Sequence, residues 1–253
     1  IAFYALLHEL GHSLGLKHTF DATLTNPSYY QTYMGQFDQS IYTVMSYNAT
    51  LNSYLYDFDP QSYMIFDVYV LQALYGANPT TNAGDHTWTL SSKEIYQTIY
   101  DASGNDTLNL SQFEQGAQVV LGDVSITGSN ISAGYVTSFA KGLDAMPTTI
   151  HWLVGDFENV SGSNYSDVIE SNSLVNIING AGGDDLVISS AAGNDTISLG
   201  SGNDTLHIYT HGHQVTVTDF SIGIDKYLVF DASVDYIAEG DYTITQVGDD
   251  VVI

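Results

Sequence analysis

The stretch GAGGDDLVISSAAGNDTISLGSGNDTLHI, residues 180–208, repeats one short pattern three times. Each copy has a Gly two residues before an Asp and a large apolar residue two positions after that Asp. Two weaker copies precede it, so that the triplets starting at residues 167, 176, 185, 195 and 204 follow at steps of 9, 9, 10 and 9 residues. A repeat this short cannot bury an apolar face alone, and the pattern therefore indicates a solenoid whose turns stack.

The pattern matches the nonapeptide Gly-Gly-x-Gly-x-Asp-x-(large apolar)-x, which is the calcium-binding β-helix repeat of RTX proteins. Glycine-rich turns expose backbone carbonyls, the Asp adds a carboxylate, and Ca²⁺ accepts about six to eight such oxygens. The two earlier copies are expected to bind calcium poorly or not at all, because Tyr165 replaces the Gly before Asp167 and Asn176 replaces the Asp. A solenoid held only by stacking is the alternative. The predicted calcium ligands in these turns are Gly180, Gly182, Asp185, Gly193, Asp195, Gly200, Gly202 and Asp204.

A second motif, HELGHSLGLKH, occupies residues 8–18. Residues 1–13 predict a helix that is apolar all round and therefore buried, with His8 and His12 on one face because they lie four positions apart. Gly15 stands where this helix should end, since Gly tolerates the left-handed turn, and the chain can then return His18 toward the other two imidazoles.

This arrangement predicts a catalytic zinc site. Three neutral imidazoles and one open coordination position are what such a zinc ion requires, and Glu9 beside the first ligand can reach a water on the metal without binding it. The alternative is a pair of helical histidines hydrogen-bonded in a core, which would explain neither Gly15 nor His18.

The spacing His-Glu-x-x-His-x-x-Gly-x-x-His is the metzincin signature. Metzincins also carry a downstream Met-turn, which the segment YTVMSYN at residues 42–48 offers. With both features, the sequence resembles the serralysin family of secreted bacterial zinc proteases. Ordinary core packing is the alternative for Met45, and Tyr47 is singled out from nearby tyrosines only by its place after Met45. The resemblance implies zinc ligands His8, His12 and His18, the catalytic residues Glu9 and Tyr47, and Met45 beneath the metal.

The same resemblance implies further features downstream. Residues 59–79 predict a helix after Pro60 that ends at Gly76, and serralysins join their catalytic and calcium-binding parts by a similar helix. The loop DASGND at residues 101–106 resembles another calcium loop that pairs with the turn NAGDH at residues 82–86. An Asx-rich hairpin turn is the alternative. The calcium ligands implied here are Asn82, Gly84, Asp101, Ser103 and Asp106.

The composition disfavours nucleic acid and membranes as binding partners. The chain has 253 residues, no Cys, 29 acidic residues and four Lys or Arg, a formal net charge of −25. Such a charge repels nucleic acid and anionic lipid, and no apolar run approaches the roughly 20 residues that span a bilayer. Most of the acids fall after residue 75, which favours bound cations there over mere solubility.

Together these observations predict an α+β chain. Residues 1–78 are expected to be the C-terminal portion of a metzincin catalytic domain, and residues 79–253 an RTX-type β-roll or β-sandwich with its clearest repeats at 161–210. A helix beginning at residue 1 suggests a chain cut upstream, so the N-terminal portion of the enzyme is expected as a separate chain or as absent. The isolated chain is then expected to be inactive, because the substrate-aligning edge strand of metzincins precedes the zinc helix.

The function that the resemblance implies is a secreted zinc endopeptidase that hydrolyses extracellular proteins and is stabilised by calcium, with neither nucleic acid nor membrane as a partner. Residues 250–253 resemble the family's C-terminal signal for type I secretion, with an ordinary last strand as the alternative. The alternative function is a calcium-binding surface, adhesive or scaffold protein that carries a vestigial, inactive protease segment.

Overall fold

The computed structural model describes residues 3–19, 37–48, 60–93, 95–122, 125–127, 130–139, 147, 149–189, 192–209, 214–230, 245–247 and 250–252. Within these ranges the chain forms two helices followed by eighteen strands. The helices are α1 (Phe3–Ser13) and α2 (Ile65–Tyr75). The strands are β1 (Thr87–Ser91), β2 (Tyr96–Tyr100), β3 (Thr107–Gln112), β4 (Ala117–Val120), β5 (Ser125–Thr127), β6 (Asn130–Ser132), β7 (Gly134–Ser138), β8 (Ile150–Val154), β9 (Asn159–Ser161), β10 (Val168–Glu170), β11 (Ile177–Asn179), β12 (Leu186–Ser189), β13 (Asp195–Ser198), β14 (Thr205–Tyr209), β15 (Val215–Val217), β16 (Lys226–Phe230), β17 (Thr245–Val247) and β18 (Asp250–Val252).

Strands β9 to β16 alternate between two sheets as the chain advances. One sheet has the order β1-β3-β9-β11-β13-β15-β18-β17 and the other the order β16-β14-β12-β10-β4-β7-β8-β2. Neighbouring repeat strands within each sheet pair in parallel, as β10 with β12 and β12 with β14. One strand from each sheet makes one coil, and this alternation is the arrangement of a parallel β-roll. The repeat pattern therefore predicted the architecture of this half of the chain.

The interior of the roll contains one row of apolar side chains from each sheet. The large apolar residue predicted to point inward in each repeat has at most 1% of its surface exposed. Burial of these side chains supplies the main stabilisation between coils, since none of the strands is long enough to hold a core alone. The five residues are Ile169, Ile178, Val187, Ile197 and Leu206.

A second core joins the helices to the side of the roll. Met45, Ile65, Tyr96 and Trp152 belong to one buried cluster. The Trp152 indole Nε1 donates a hydrogen bond to the carbonyl of Ile41 at 2.8 Å. The buried contacts thus run across residue 78, where the sequence places a domain boundary, and that boundary stays a prediction.

Two helix expectations need correction. The side chains of Phe3, Leu6 and Leu10 on α1 are about half exposed, although an all-round apolar pattern predicts burial. Helix α2 begins at Ile65 and not directly after Pro60, because residues before it pair with β2 through the Gln61 N–H and the Tyr96 carbonyl at 2.7 Å. The predicted end at Gly76 is confirmed, where the backbone turns left-handed with φ +82°.

The metzincin-type α+β arrangement expected for residues 1–78 remains an expectation. In residues 3–19, 37–48 and 60–78 the structure describes the two helices and no strand. Neither helix of the described chain is long and apolar enough to cross a bilayer.

Candidate functional site

Three imidazoles converge at the end of α1. His8 and His12 share one face of the helix, and the chain reverses at Gly15, whose φ is +92°, to bring His18 back onto that face. The Nε2 atom of His18 lies 3.1 Å from that of His8 and 3.0 Å from that of His12. The sequence predicted this group of three, and the geometry brings it together.

The opposite ring nitrogens fix which tautomer each ring adopts. His8 Nδ1 lies 2.8 Å from the carbonyl of Val44, and His12 Nδ1 lies 3.1 Å from the carbonyl of Leu16. A carbonyl only accepts, so both Nδ1 atoms carry the proton and donate it. In a neutral ring this tautomer makes Nε2 the acceptor, and both Nε2 atoms face His18.

This donor set fits a zinc ion. Three ring nitrogens converge on one small volume, where a single cation could bind all of them. Zn–N bonds of about 2.0–2.1 Å in a tetrahedron place ligand nitrogens about 3.3 Å apart, close to the separations observed here. His8 is buried while His12 and His18 are half-buried, which leaves the cluster open on one side.

Tyr47 stands on that open side. Its hydroxyl lies 2.9 Å from His18 Nε2, and the side chain is 66% exposed. Glu9 occupies the position after His8 on α1 with its side chain exposed to solvent. Tyr47 thus lies beside the histidine cluster, as the resemblance implies, whereas the reach of Glu9 toward a metal-bound water stays a prediction. The catalytic roles of both residues remain proposals.

Met45 packs against α1. Its side chain is fully buried, and a Cβ added to Gly11 would lie only 2.7 Å from the Met45 sulfur. The bare backbone of Gly11 therefore lets the turn approach α1 closely. The sequence predicted Met45 and did not identify Gly11.

Asp67 is a residue of this region that the sequence did not reveal. Its carboxylate is fully buried and accepts hydrogen bonds from Thr43 Oγ1 at 2.6 Å, Val44 N at 2.7 Å and Met64 N at 2.9 Å. Burial raises the pKa of Asp67 to about 6, and the three hydrogen bonds oppose that rise. The carbonyl of Val44 faces His8 Nδ1 and orients this predicted zinc ligand. Because Asp67 binds the N–H of Val44, it holds in place the segment that selects the tautomer of His8. A charged residue inside the apolar run IFDVYV was the only signal available.

Asp167, Asp185 and Asp204 form a ladder of aspartates along one edge of the roll. The Oδ1 atom of Asp185 accepts the N–H of Asp167 at 2.8 Å, and that of Asp204 accepts the N–H of Asp185 at 2.9 Å. The Oδ2 atoms of Asp185 and Asp204 are buried with no hydrogen-bond partner. Burial raises the pKa of Asp185 to about 7, and the charges of Asp167 and Asp204 add to that rise. An unpaired buried carboxylate oxygen at each rung fits a bound cation.

The predicted glycines lie in the turns beside these carboxylates. A Cβ on Gly180 would lie 2.5 Å from Asp185 Oδ2, so only a glycine leaves that oxygen accessible. Gly182 forms an isolated bridge to Ser201, and Gly200 donates to Asp219 at 2.9 Å. Gly202 adopts φ +151°. The structure thus groups four predicted glycines around one edge of the roll, and their role as ligands stays a prediction.

The opposite edge of the roll differs. Asp195 Oδ2 accepts the hydroxyls of Ser189 at 2.9 Å and Ser171 at 3.3 Å, and its Oδ1 accepts the N–H of Asn176 at 3.1 Å. Both carboxylate oxygens of Asp195 therefore already accept hydrogen bonds from protein groups. Gly193 lies two residues before this Asp. Calcium at Asp195 stays a prediction, and the geometry favours Asp185 and Asp204 as the ligands.

The expected pairing of residues 82–86 with residues 101–106 is present. Gly84 donates to the Ser103 carbonyl at 2.6 Å, and the Asn82 side chain donates to the Tyr100 carbonyl at 2.7 Å. Asp101 and Asp106 are both buried in this pairing. Beside them lies the side chain of His86, which the resemblance does not include among the calcium ligands.

Known proteins match the chain over most of its length. The family model described as "Peptidase M10 serralysin C terminal" matches residues 66–143. Metallopeptidase AprA of Pseudomonas marginalis is 31% identical over 194 residues, which are 68% of this chain and 38% of that protein. Metalloprotease AprA of Pseudomonas entomophila is 30% identical over 197 residues, 68% of this chain and 37% of the relative.

A serralysin of Photorhabdus luminescens is 31% identical over 192 residues, 68% of this chain and 36% of the relative. The chain thus spans less than two fifths of the length of the curated relatives it matches. The parallel β-roll and the converged histidines agree with the resemblance that the motifs carry. The chain belongs to the serralysin family of metalloproteases.

Proposed function

We propose that this chain carries the zinc site of a secreted endopeptidase that hydrolyses extracellular proteins and is stabilised by calcium in its β-roll. The convergence of three imidazole Nε2 atoms, in two rings whose Nδ1 atoms face backbone carbonyls, carries the proposal. The metalloprotease names of its relatives support the same chemistry. Export by type I secretion is part of the proposal and rests on the family resemblance.

His8, His12 and His18 would hold the zinc ion, which would supply a Lewis acid for a water molecule and for the peptide carbonyl. The residues of the chain do the remaining work. Glu9 accepts a proton from the attacking water and passes it to the leaving amine. The Tyr47 hydroxyl, on the open side of the histidines, donates to the carbonyl oxygen as negative charge develops on it.

Calcium has a structural role in this proposal. The unpaired oxygens of Asp185 and Asp204 become ligands, so the carboxylates no longer oppose folding by their burial. The roll then gains stability where calcium is plentiful, outside the cell. Coupling of this kind delays formation of the active enzyme until after export.

The first test compares zinc content and casein hydrolysis in the longest natural form of the protein that carries this chain, with calcium present. A Glu9→Gln variant is expected to keep its zinc and lose at least about a hundredfold in kcat, since general base catalysis contributes on that scale. Glu114→Gln, a change of another exposed glutamate, is the matched control and is expected to keep full activity.

The outcomes separate the two functions. Zinc in all three proteins, with activity only in the unmutated protein and the control, supports the endopeptidase. Zinc without hydrolysis in the unmutated protein supports a calcium scaffold with an inactive protease segment. Absence of zinc from the unmutated protein contradicts both the metal site and the enzyme.

A further inference from the structure

Asp38 lies between two segments on which the proposed site depends. Its Oδ1 atom accepts a hydrogen bond from the hydroxyl of Thr19, the residue directly after His18. Its Oδ2 atom accepts one from the side-chain amide of Asn48, the residue directly after Tyr47, at 2.7 Å. We propose that Asp38 is a positioning residue that holds His18 and Tyr47 in place relative to each other. This inference rests on the proposed function of the histidine cluster.

The contact with Thr19 fixes the end of the segment that returns His18 toward α1. Thr19 is buried, so its hydroxyl requires a partner within the protein. On the other side of His18, Leu16 is fully buried and donates its N–H to the Gly11 carbonyl on α1 at 3.0 Å. The core thus fixes this segment before His18, and the carboxylate of Asp38 fixes it after His18.

The contact with Asn48 fixes the base of the loop that carries Tyr47. The N–H of Ser40 donates to the carbonyl of Asn48 at 3.0 Å, which closes the loop between these two residues. Asp38 lies two residues before Ser40 in the chain. Its carboxylate therefore joins the closed base of the loop to the residue after His18.

The two segments meet at the rings of His18 and Tyr47. The Tyr47 hydroxyl lies 2.9 Å from His18 Nε2, and the ring centroids are 4.7 Å apart. Tyr47 is 66% exposed, so neighbouring side chains cover only the smaller part of its surface. A side chain that donates to a developing oxyanion must be held close to its productive geometry. The bridge through Asp38 supplies part of that constraint from outside the histidine cluster.

An aspartate suits this bridge because each of its two oxygens accepts from a different segment. Removal of the side chain leaves the buried Thr19 hydroxyl without this acceptor and releases the amide of Asn48. An asparagine can keep both contacts, since its oxygen accepts from Asn48 and its amide nitrogen donates to the Thr19 hydroxyl. The variants Asp38→Ala and Asp38→Asn therefore separate the effect of the bridge from that of the negative charge.

The first measurement needs neither zinc nor activity. Nuclear Overhauser contacts between the His18 and Tyr47 rings are recorded in the metal-free form of the longest natural protein that carries this chain. We expect these contacts to be lost in Asp38→Ala and kept in Asp38→Asn. Thr19→Val, which removes the hydroxyl but keeps the branched side chain, is expected to lose them too. Thr196→Val on the exposed side of β13 is the matched control and is expected to keep them.

The second measurement uses the same protein with zinc and calcium. Asp38→Ala is expected to lower both the zinc affinity, measured against a chelator, and kcat by about ten- to a hundredfold, the range found for partners outside the metal's own ligands. KM is expected to change little, because Asp38 acts on a zinc ligand and on the proposed oxyanion donor. Asp38→Asn is expected to restore both quantities. Adding Thr19→Val to Asp38→Ala should cost nothing further, since the same contact is already lost.

Three results would overturn the proposal. Unchanged ring contacts in Asp38→Ala would show that packing alone sets the position of His18. Losses in Asp38→Asn as large as those in Asp38→Ala would assign the effect to the charge. Additive losses from Thr19→Val and Asp38→Ala would show that the two side chains act separately.

Failure of the proposed function gives a different result. The unmutated protein then binds no zinc or hydrolyses nothing, while the ring contacts still report on the role of Asp38. If Asp38→Ala does not fold, Thr19→Val decides the question, and ring contacts that persist in that variant reject the bridge.

Discussion

At the scale of single residues, Asp67 connects α2 to the histidine cluster through three hydrogen bonds and the Val44 carbonyl. An Asp67→Asn change turns one carboxylate oxygen into a donor. Either the Thr43 hydroxyl or the backbone N–H groups of Val44 and Met64 then lose their acceptor. We expect a loss of about 1–3 kcal/mol in unfolding free energy. Zinc affinity should also fall by about ten- to a hundredfold, since the group orienting His8 is disturbed.

Denaturant titration and competition with a zinc chelator measure these two effects. Asp184→Asn is the matched control, because that exposed carboxylate accepts the N–H of Asn203 at 2.9 Å in the roll. The control is expected to change both quantities much less. Equal losses of zinc affinity in the two variants would remove the special role given to Asp67.

His151 gives a prediction about pH. The ring is buried on β8, accepts from Gln97 at Nδ1 and faces the Ser91 carbonyl with Nε2, and burial lowers its pKa to about 4. The unfolded chain binds this proton at about pH 6.5, so stability is unaffected above pH 6.5 and falls as pH drops from 6.5 toward 4. A shift of this size corresponds to about 3 kcal/mol at the acid end of that window.

Urea denaturation between pH 8 and pH 4.5 measures this dependence. A His151→Gln variant, which keeps an amide able to hydrogen-bond, is expected to be less stable at pH 8 but to lose a large part of the fall between pH 6.5 and 4.5. If both proteins lose stability in parallel on acidification, another group is responsible. NMR titration of the His151 ring gives the same pKa directly.

The sequence could predict residues whose role depends on local spacing. His8, His12, His18, Gly15 and Met45 belong to short patterns, and each lies where the pattern places it. Asp67 and Asp38 could not be found that way. The bond from Asp67 to Val44 crosses 23 residues, and the bond from Thr19 to Asp38 crosses 19.

At the scale of elements, a comparison of two glycines distinguishes two causes of destabilisation, the left-handed backbone and close packing. Gly193 and Gly223 both have φ +86°. A Cβ on Gly193 would overlap the Leu174 carbonyl of the neighbouring coil, whereas a Cβ on Gly223 would meet no atom within 4 Å. Gly223→Ala is therefore expected to cost about 1 kcal/mol for its left-handed backbone, and Gly193→Ala clearly more.

Thermal unfolding of the two alanine variants, each with and without calcium, tests this comparison. The difference between them should persist without calcium, because overlap with a carbonyl does not depend on the ion. Equal destabilisation of both variants would mean that the coils move apart readily at Leu174.

The two edges of the roll give a prediction about calcium. Asp185→Asn keeps an oxygen for the Asp167 N–H but replaces the unpaired Oδ2 by an amide, so we expect the loss of at least one bound calcium ion. Asp195→Asn is the matched control and should leave the stoichiometry unchanged, since Ser171 and Ser189 already occupy the carboxylate. Equilibrium dialysis with radioactive calcium counts the ions, and loss of an ion from the Asp195 variant alone would reverse the assignment.

Element types were predictable where the period was clear. The nine-residue repeat predicted short parallel strands and their inward residues correctly. The start of α2 was not predictable, because Pro60 and Gln61 join β2 through tertiary contacts. The prediction that α1 is buried on all sides was wrong. An apolar pattern all round a helix favours burial of its side chains but does not identify the parts of the chain that would cover them.

At the scale of the whole molecule, net charge and bound calcium both change the free energy of unfolding. A net charge of −25 disfavours the compact state, and buried unpaired carboxylates add to that cost. We expect removal of calcium to lower the unfolding temperature sharply. Each site filled at a hundred times its Kd contributes about 2.7 kcal/mol of stability.

Circular dichroism melts in excess EDTA and in calcium measure this effect. A melt in EDTA with high concentrations of sodium chloride is the control, because monovalent salt screens surface repulsion but does not pair with the buried oxygens. Only partial recovery is expected from salt. Full recovery in salt without calcium would show that general repulsion, and not the carboxylate ladder, limits stability.

The aspartate ladder also limits how the length of this chain can vary. Each rung is joined to the next by one hydrogen bond between residues 18 or 19 positions apart, which is one coil of the roll. An insertion of a single residue within a strand would turn its inward side chains outward, and an insertion of half a coil would shift all later strands to the opposite sheet. Natural or designed changes of length in the roll are therefore tolerated in whole coils, with smaller insertions confined to sites outside the stacked strands.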